Sequence, residues 1–143
     1  MKLKGFLGVF IFAGLSAYGH GQQTGGLVRG AKPAIQSVVS FKGDIQPILD
    51  AQCVACHQSG AASANLNLED GMAYLASVRK GSQQSKLQLV TPGKPDESYL
   101  VRKLEGSHIS AGGQGDQMPV LEPLGKGSIT LIRQWIQDGA PDN

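Results

Sequence analysis

Apolar residues recur at helical spacing in the stretch that begins at Phe41. In FKGDIQPILDAQ they fall at i, i+4, i+7 and i+8, which is the spacing of one helix face. Asp44 is predicted to cap this helix, and Pro47 then lies in its first turn, where a missing N–H is tolerated. The helix would deliver the chain to Cys53.

Three later stretches also predict helices. A weaker pattern indicates a helix over about 69–78, ended by Gly81, and SYLVRKLEG predicts another that stops at Gly106. In GSITLIRQWIQDGAPDN the apolar residues from Ile129 fall at i, i+3, i+6 and i+7, before a stop signal at Gly139. No stretch shows sustained strand alternation, so we predict an all-α fold.

The segment 106–117, GSHISAGGQGDQ, is rich in glycine and is predicted to have no regular structure. It ends at Met118, which Pro119 follows directly. A glycine-rich loop is flexible, so we expect that some interaction holds it in one conformation.

The first residues have the pattern of a secretory signal peptide. Lys2 and Lys4 precede an apolar run over 6–15, and the small residues Ala17 and Gly19 stand where signal peptidase requires them. Cleavage is therefore expected near Gly19.

Three segments follow from this interpretation. Residues 1–19 are the signal peptide, 20–40 a flexible leader that lacks a sustained period, and 41–143 the domain. The alternative is an uncleaved anchor, but the apolar stretch 5–18 is shorter than the roughly 20 residues that span a bilayer as a helix.

Charge and aromatic content restrict the function further. Of 13 lysines and arginines, cleavage removes Lys2 and Lys4, which leaves 11 bases against 11 acids. A chain with this charge balance lacks the excess of basic residues that is typical of a nucleic-acid-binding protein.

Outside the signal the large aromatic residues are few, with Phe41 and Trp135 the main ones, so we predict a thin core partly filled by something other than side chains.

The chemistry of the chain is concentrated in QCVACHQSG. Cys53 and Cys56 are the only cysteines and are separated by two residues, and His57 follows directly. Such spacing serves a redox disulfide, part of a zinc site, or covalent haem attachment. A thioredoxin-like motif would follow a strand, which this chain lacks, and a structural zinc site usually needs four ligands. Haem attachment uses all three residues: two thiols bind the porphyrin vinyl groups, and the imidazole binds iron.

A haem iron held by His57 would need a sixth ligand or an open face. Met118 is our candidate, because its neighbours Asp116, Gln117 and Pro119 make a poor core segment. His108 is the rival, which would give a bis-histidine haem of lower potential, although an isolated histidine in such a loop is usually solvated. Met72 is a third candidate, placed on a helix close after the attachment motif.

The residues from about 41 to 141 resemble the monohaem class I cytochromes c, and among them the cytochrome c domains common in planctomycetes and related bacteria. The resemblance rests on the stretches FKGDIQPIL, CVACH, LNLED, VTPGKPDESYLVRKLEG, QMP and IRQWIQDGAP. It implies a cytochrome c-like fold of about four to five short helices around one covalently bound haem c. Thioether links at Cys53 and Cys56, a proximal ligand at His57 and a distal ligand at Met118 are implied with it. GKG at 125–127 departs from the family, whose members often open the last helix with Ser and acidic residues.

The function expected from these observations is that of an exported, periplasmic electron carrier rather than an enzyme. No acid/base or nucleophilic machinery is evident, and the expected partners are redox proteins, with a membrane-associated respiratory or dehydrogenase complex as one candidate. No nucleic-acid partner is expected, and the sequence carries no strong oligomer signal. The alternatives are a haem enzyme or ligand sensor whose Met118 is displaceable, and a non-haem disulfide or interaction module.

Overall fold

The computed structural model describes residues 38–143. The expected signal peptide, and most of the expected leader, lie outside this range. Within it β pairing is limited to three isolated bridges, so the all-α prediction is confirmed. The four α-helices are α1 Gln46–Gln52, α2 Ala73–Ser77, α3 Tyr99–Leu104 and α4 Lys126–Gln137. A π-helical turn at Phe41–Ile45 precedes α1, and 3₁₀ turns lie at Ser63–Asn65, Pro95–Glu97 and His108–Ala111.

The first predicted helix forms, but its cap differs from the prediction. The cap is Ser40, whose hydroxyl accepts from the Gly43 N–H at 3.0 Å. Asp44 instead accepts from the Ser40 N–H at 2.8 Å, so the predicted cap at Asp44 is wrong. The two bonds are reciprocal and satisfy N–H groups that the first turn leaves unpaired, with Pro47 at the start of α1 as expected.

The second helix is shorter than predicted. It covers Ala73–Ser77 rather than 69–78, because Gly71 has a φ of 77°, in the left-handed region that a right-handed helix excludes. Glu69 and Asp70 therefore lie in the turn ahead of α2. This turn leaves the Glu69 side chain free to bond elsewhere.

The prediction of no regular structure over 106–117 is also wrong. His108–Ala111 form a 3₁₀ turn, closed by Gly112 in the left-handed conformation. A 3₁₀ turn of four residues is too short to show a periodic pattern, and the glycines around it favour a loop, so sequence analysis did not predict it.

Helix α4 forms as predicted and carries the centre of the core. Trp135 is buried, and its ring lies 5.2 Å from that of Phe41, which in turn meets Tyr74 edge to face at 5.4 Å. The Trp135 indole N–H donates to the Pro141 carbonyl at 2.9 Å. The last helix thus packs against the turn that leads into α1. Gly125 precedes α4 without a side-chain cap, in line with the departure noted at 125–127.

The buried core is made mainly of aliphatic side chains from every helix. Its members are Val39, Phe41, Ile45, Leu49, Leu68, Ala73, Val78, Val90, Val101, Leu104, Ile132, Trp135, Ile136 and Ala140. None of the helices between Val38 and Asn143 has both the length and the apolar character needed to cross a bilayer.

Candidate functional site

One large cavity adjoins this core. It has a volume of about 790 Å³ and a mostly apolar lining, a size and character typical of cofactor sites. Two chain segments contribute the residues that sequence analysis singled out. We call residues 53–69 the proximal segment, which places Cys53, Cys56 and His57 at the cavity, and residues 106–118 the distal segment, which places Met118 there.

The attachment motif continues the turn of α1. Cys53 N–H donates to the Leu49 carbonyl at 2.8 Å, and His57 N–H donates to the Cys53 carbonyl at 3.0 Å. These short-range bonds set the thiols and the imidazole in one compact turn. Both cysteines are free thiols; Cys56 is exposed, whereas burial raises the pKa of the Cys53 thiol to about 11.

His57 is oriented by a main-chain carbonyl. Its Nδ1 lies 3.2 Å from the Leu66 oxygen, and because a carbonyl only accepts, Nδ1 carries the proton in this bond. In the neutral imidazole this leaves the other nitrogen, Nε2, without a proton and able to bind a metal. The structure therefore gives His57 the tautomer that an iron ligand requires.

A polar cluster that sequence analysis missed holds the Leu66 region in place. Ser59 donates to the Glu69 carboxylate through both its N–H, at 2.9 Å, and its hydroxyl, at 2.6 Å, and Asn67 Nδ2 donates to the same oxygen at 2.9 Å. These hydrogen bonds, those from Ser59 first, lower the pKa of Glu69. The cluster ties the residues after His57 to those after Leu66. Its only sequence signal was the polar pattern SG…NLE, which does not show pairing by itself.

Helix α1 supports the same region from the other end. The buried Gln46 side chain donates to the Leu68 carbonyl at 3.0 Å, and the Leu68 N–H donates to the His57 carbonyl at 2.8 Å. Hydrogen bonds therefore join the two ends of the proximal segment to each other and to α1.

Met118 reaches the cavity through anchors on α3. Its N–H donates to the Lys103 carbonyl at 3.1 Å, and the Gln117 side chain donates to the Leu104 carbonyl at 2.6 Å. Met118 is half-buried and its thioether is a soft ligand of the kind that haem iron accepts. Among the candidate sixth ligands only Met118 lines the cavity.

The rival candidates lie elsewhere. His108 is only 2% exposed, so the expectation that it is solvated is wrong; its Nε2 lies 2.8 Å from the Gly115 oxygen, and it does not line the cavity. Met72 is 50% exposed and does not line it either.

The rest of the lining is apolar at depth and charged in places. Tyr99 lines the cavity, and its hydroxyl donates to Gln84 Oε1 at 2.8 Å. Lys103 also lines it, and burial lowers the pKa of its ammonium. Two apolar side chains that sequence analysis missed, Val120 and Leu121, line the cavity yet are largely exposed, Leu121 completely.

The sequence profile of the family described as PccH cytochrome c matches residues 40–142. The chain belongs to this cytochrome c family. The family predicted from CVACH and its flanking motifs is confirmed, and with it the class of protein, a c-type cytochrome.

Comparison with solved structures finds two matching chains. This cytochrome is similar to a chain of "Kuenenia stuttgartiensis Hydrazine Synthase", with 28% identity and a TM-score of 0.48. The match covers 71% of this cytochrome and 16% of that chain, so this cytochrome corresponds to a small part of the other protein. No curated protein matches the chain.

The residues present fit the covalent haem that the cytochrome c family implies. The cavity is apolar, as a porphyrin requires, and the CVACH turn places two free thiols and a correctly protonated imidazole at it. Met118 adds a soft ligand at the same cavity. Within residues 38–143 no three His, Cys, Asp or Glu side chains are grouped so as to hold a metal ion by themselves.

Proposed function

We propose that this c-type cytochrome is an exported carrier of single electrons. In this proposal one haem is bound through Cys53 and Cys56, and its iron is ligated by His57 and Met118. The observation that carries it is that both ligand segments line one apolar cavity of about 790 Å³. The non-haem alternative explains neither the cavity nor the family match.

The residues of the chain have distinct tasks in this proposal. Cys53 and Cys56 would hold the haem covalently through two thioether bonds. Haem, when bound, supplies one-electron chemistry at iron. His57 is held in one tautomer by the Leu66 carbonyl, and Met118 is held by main-chain and side-chain bonds to α3. Ligands that the fold holds in place need little rearrangement when charge changes, which favours fast electron transfer.

The surface beside the cavity suits a protein partner. Val120 and Leu121 are exposed at the cavity, and apolar side chains within a polar rim are typical of transient interfaces. A redox protein is the partner we propose, with a membrane-associated respiratory or dehydrogenase complex as a candidate. Export rests on residues 1–19, and we propose that cleavage near Gly19 starts the mature protein near His20.

Spectra of the haem-loaded protein test the ligand assignment. The mass of the denatured protein should include one covalent haem, and the ferric form should show the weak far-red charge-transfer band of methionine ligation. Met118→Ala should abolish that band, whereas His108→Ala, the matched control, should keep it. Rapid carbon monoxide binding to the wild-type ferrous protein would instead favour a haem enzyme or ligand sensor, and a protein without covalent haem would refute the proposal.

Export and partner need separate measurements. The mass of the protein recovered from the periplasm should correspond to a start near His20. Capture of partners from the same compartment, combined with the midpoint potential, should yield a redox protein able to exchange electrons at that potential. Retention of residues 1–19 would contradict the proposed cleavage.

A further inference from the structure

The distal segment must hold Met118 at the cavity although much of it is glycine. Its attachment to α3 comes from four bonds. The Ser107 N–H donates to the Arg102 carbonyl at 2.9 Å, and the bond from the Lys103 ammonium to the Gln114 carbonyl, 2.6 Å, is exposed to solvent. The bonds from Gln117 to Leu104 and from Met118 to Lys103 reach only the last two residues of the segment. The Ser85 hydroxyl donates to the Ala111 carbonyl at 2.6 Å and so holds the 3₁₀ turn from outside the segment. Residues 112–115, which follow this turn, need a further restraint.

His108 supplies that restraint from inside the segment. Its ring is buried, with Nε2 2.8 Å from the Gly115 oxygen. Since a carbonyl only accepts, Nε2 donates. Nδ1 is buried and has no hydrogen-bond partner among residues 38–143. The single side-chain bond that His108 makes is thus directed at the backbone three residues before Met118.

The main chain around His108 is folded tightly, so this bond closes a compact loop. The Gly113 N–H donates to the His108 carbonyl at 2.9 Å, and a Cβ added at Gly113 would lie 2.8 Å from that same oxygen. Gly115 has a φ of 69°, a conformation that glycine adopts without strain. His108 therefore bonds this loop twice: its carbonyl accepts from Gly113, and its imidazole donates to the Gly115 carbonyl.

We propose that His108 is a positioning residue for Met118. Its hydrogen bond to Gly115 restrains the distal segment in the conformation that places Met118 at the cavity, so His108 acts on the sixth ligand without being one. This inference rests on the proposed function, because it takes Met118 as the ligand. Glutamine is the natural substitute at this position, since its amide nitrogen reaches about as far as the imidazole Nε2.

Competition with free imidazole tests the proposal on the ferric, haem-loaded protein. Imidazole binds iron only when Met118 leaves, so the concentration that halves the far-red band measures how firmly Met118 is held. For His108→Leu we expect that concentration to fall about tenfold, which corresponds to about 1.4 kcal/mol and to the loss of one buried hydrogen bond. His108→Gln should return it to within about threefold of the wild type. Ser110→Ala, in the same 3₁₀ turn but bonded only to Ser107, is the matched control and should leave it unchanged.

The outcomes separate the two proposals. An unchanged imidazole affinity in His108→Leu, or a glutamine variant as weak as the leucine one, would overturn the positioning role. A wild-type protein that lacks the far-red band would overturn the ligand assignment, and this inference with it. If His108→Leu fails to fold, His108→Asn replaces it: its amide is too short to reach Gly115, and the same tenfold change is expected.

Discussion

The CVACH turn of the proximal segment and Met118 of the distal segment line the same cavity but are held there by hydrogen bonds of different range along the chain. In the proximal segment main-chain bonds between near neighbours continue the turn of α1 through His57. In the distal segment the Gln117 side chain reaches the Leu104 carbonyl, 13 residues earlier in the chain, and the Met118 N–H reaches Lys103. The difference shows that the CVACH turn is a local structure, whereas the position of Met118 is set only after α3 has folded.

The largest expected effect concerns the core on which both segments depend. Trp135→Ala removes the side chain that packs against Phe41 and should cost about 3–5 kcal/mol of unfolding free energy. Because the core supports both segments, the far-red band and the far-UV circular dichroism should be lost in one denaturant transition at a lower midpoint. Leu131→Ala, on the exposed side of the same helix, is the control and should cost far less. Separate unfolding transitions of the far-red band and the circular dichroism signal would show that the two segments do not both depend on the core around Trp135.

A glycine substitution should then affect the distal segment alone. Gly113→Ala brings a Cβ against the Tyr99 hydroxyl and the His108 carbonyl, and we expect a cost of about 1–3 kcal/mol. The far-red band should disappear at a lower denaturant concentration. The control is Gly127→Ala in α4, where a Cβ meets nothing within 4 Å; it should stabilise the protein by about 0.5–1 kcal/mol. Equal effects of the two substitutions would contradict the close approach at Gly113.

A third variant addresses the proximal segment. Glu69→Gln weakens the bonds from Ser59 and Asn67, whereas Asp70→Asn makes the same charge change next to it. The pKa of Glu69 is lowered from its ordinary value of 4.5, so its stabilising contribution is present above that pH and is lost as the pH falls through the folded-state pKa.

Melting temperatures measured against pH test this expectation. The wild type and Asp70→Asn should lose Tm on acidification below about pH 4.5 more steeply than Glu69→Gln does. The far-red band of Glu69→Gln at neutral pH should be that of the wild type, because Met118 is held by other residues. Identical pH curves for all three proteins would refute the role of Glu69.

The smallest effect is expected at the exposed distal anchor. Lys103→Gln shortens the side chain that bonds the Gln114 carbonyl but leaves the main-chain bond from Met118 intact. The free energy of unfolding should change by less than about 0.5 kcal/mol, since the bond is solvated. Lys86→Gln, with the same charge change, is the comparison in denaturant unfolding. A larger loss for Lys103→Gln would mean that the distal segment depends on α3 more than on His108.

Sequence analysis recovered the parts of the fold that depend on local patterns. Helix α4 and its buried Trp135, the all-α class and the family were predicted, because apolar periodicity and the CVACH motif are properties of short stretches. The cap of the first helix was wrong, since Ser40 and Asp44 both suit a cap and only the chain path decides between them. The second helix was too long, since the conformation of Gly71 is a backbone choice that the apolar pattern does not record.

Some residues of the candidate site were likewise identified from the sequence, and others only from the structure. Cys53, Cys56 and His57 were identified from their spacing alone, and their assignment to a haem stays a prediction. Met118 was chosen from its neighbours, and the structure adds that it lines the cavity with them. Neither the Ser59–Asn67–Glu69 cluster nor the role of His108 was foreseen, because no motif in the sequence shows which of these residues pair with one another.

The sequence by itself determined that this chain is a helical c-type cytochrome with one attachment motif, because that information lies in residues that are neighbours along the chain. Only the tertiary structure decided which groups surround that motif: the carbonyl that orients His57, the carboxylate that gathers Ser59 and Asn67, and the buried histidine that binds Gly115. The physical reason is that each of these hydrogen bonds joins groups in the loops after α1 or after α3 that are not neighbours along the chain and meet only when those loops adopt their folded path. The pattern of residue types along the chain does not show which of these groups will form a hydrogen bond, because that depends on the path of the folded chain.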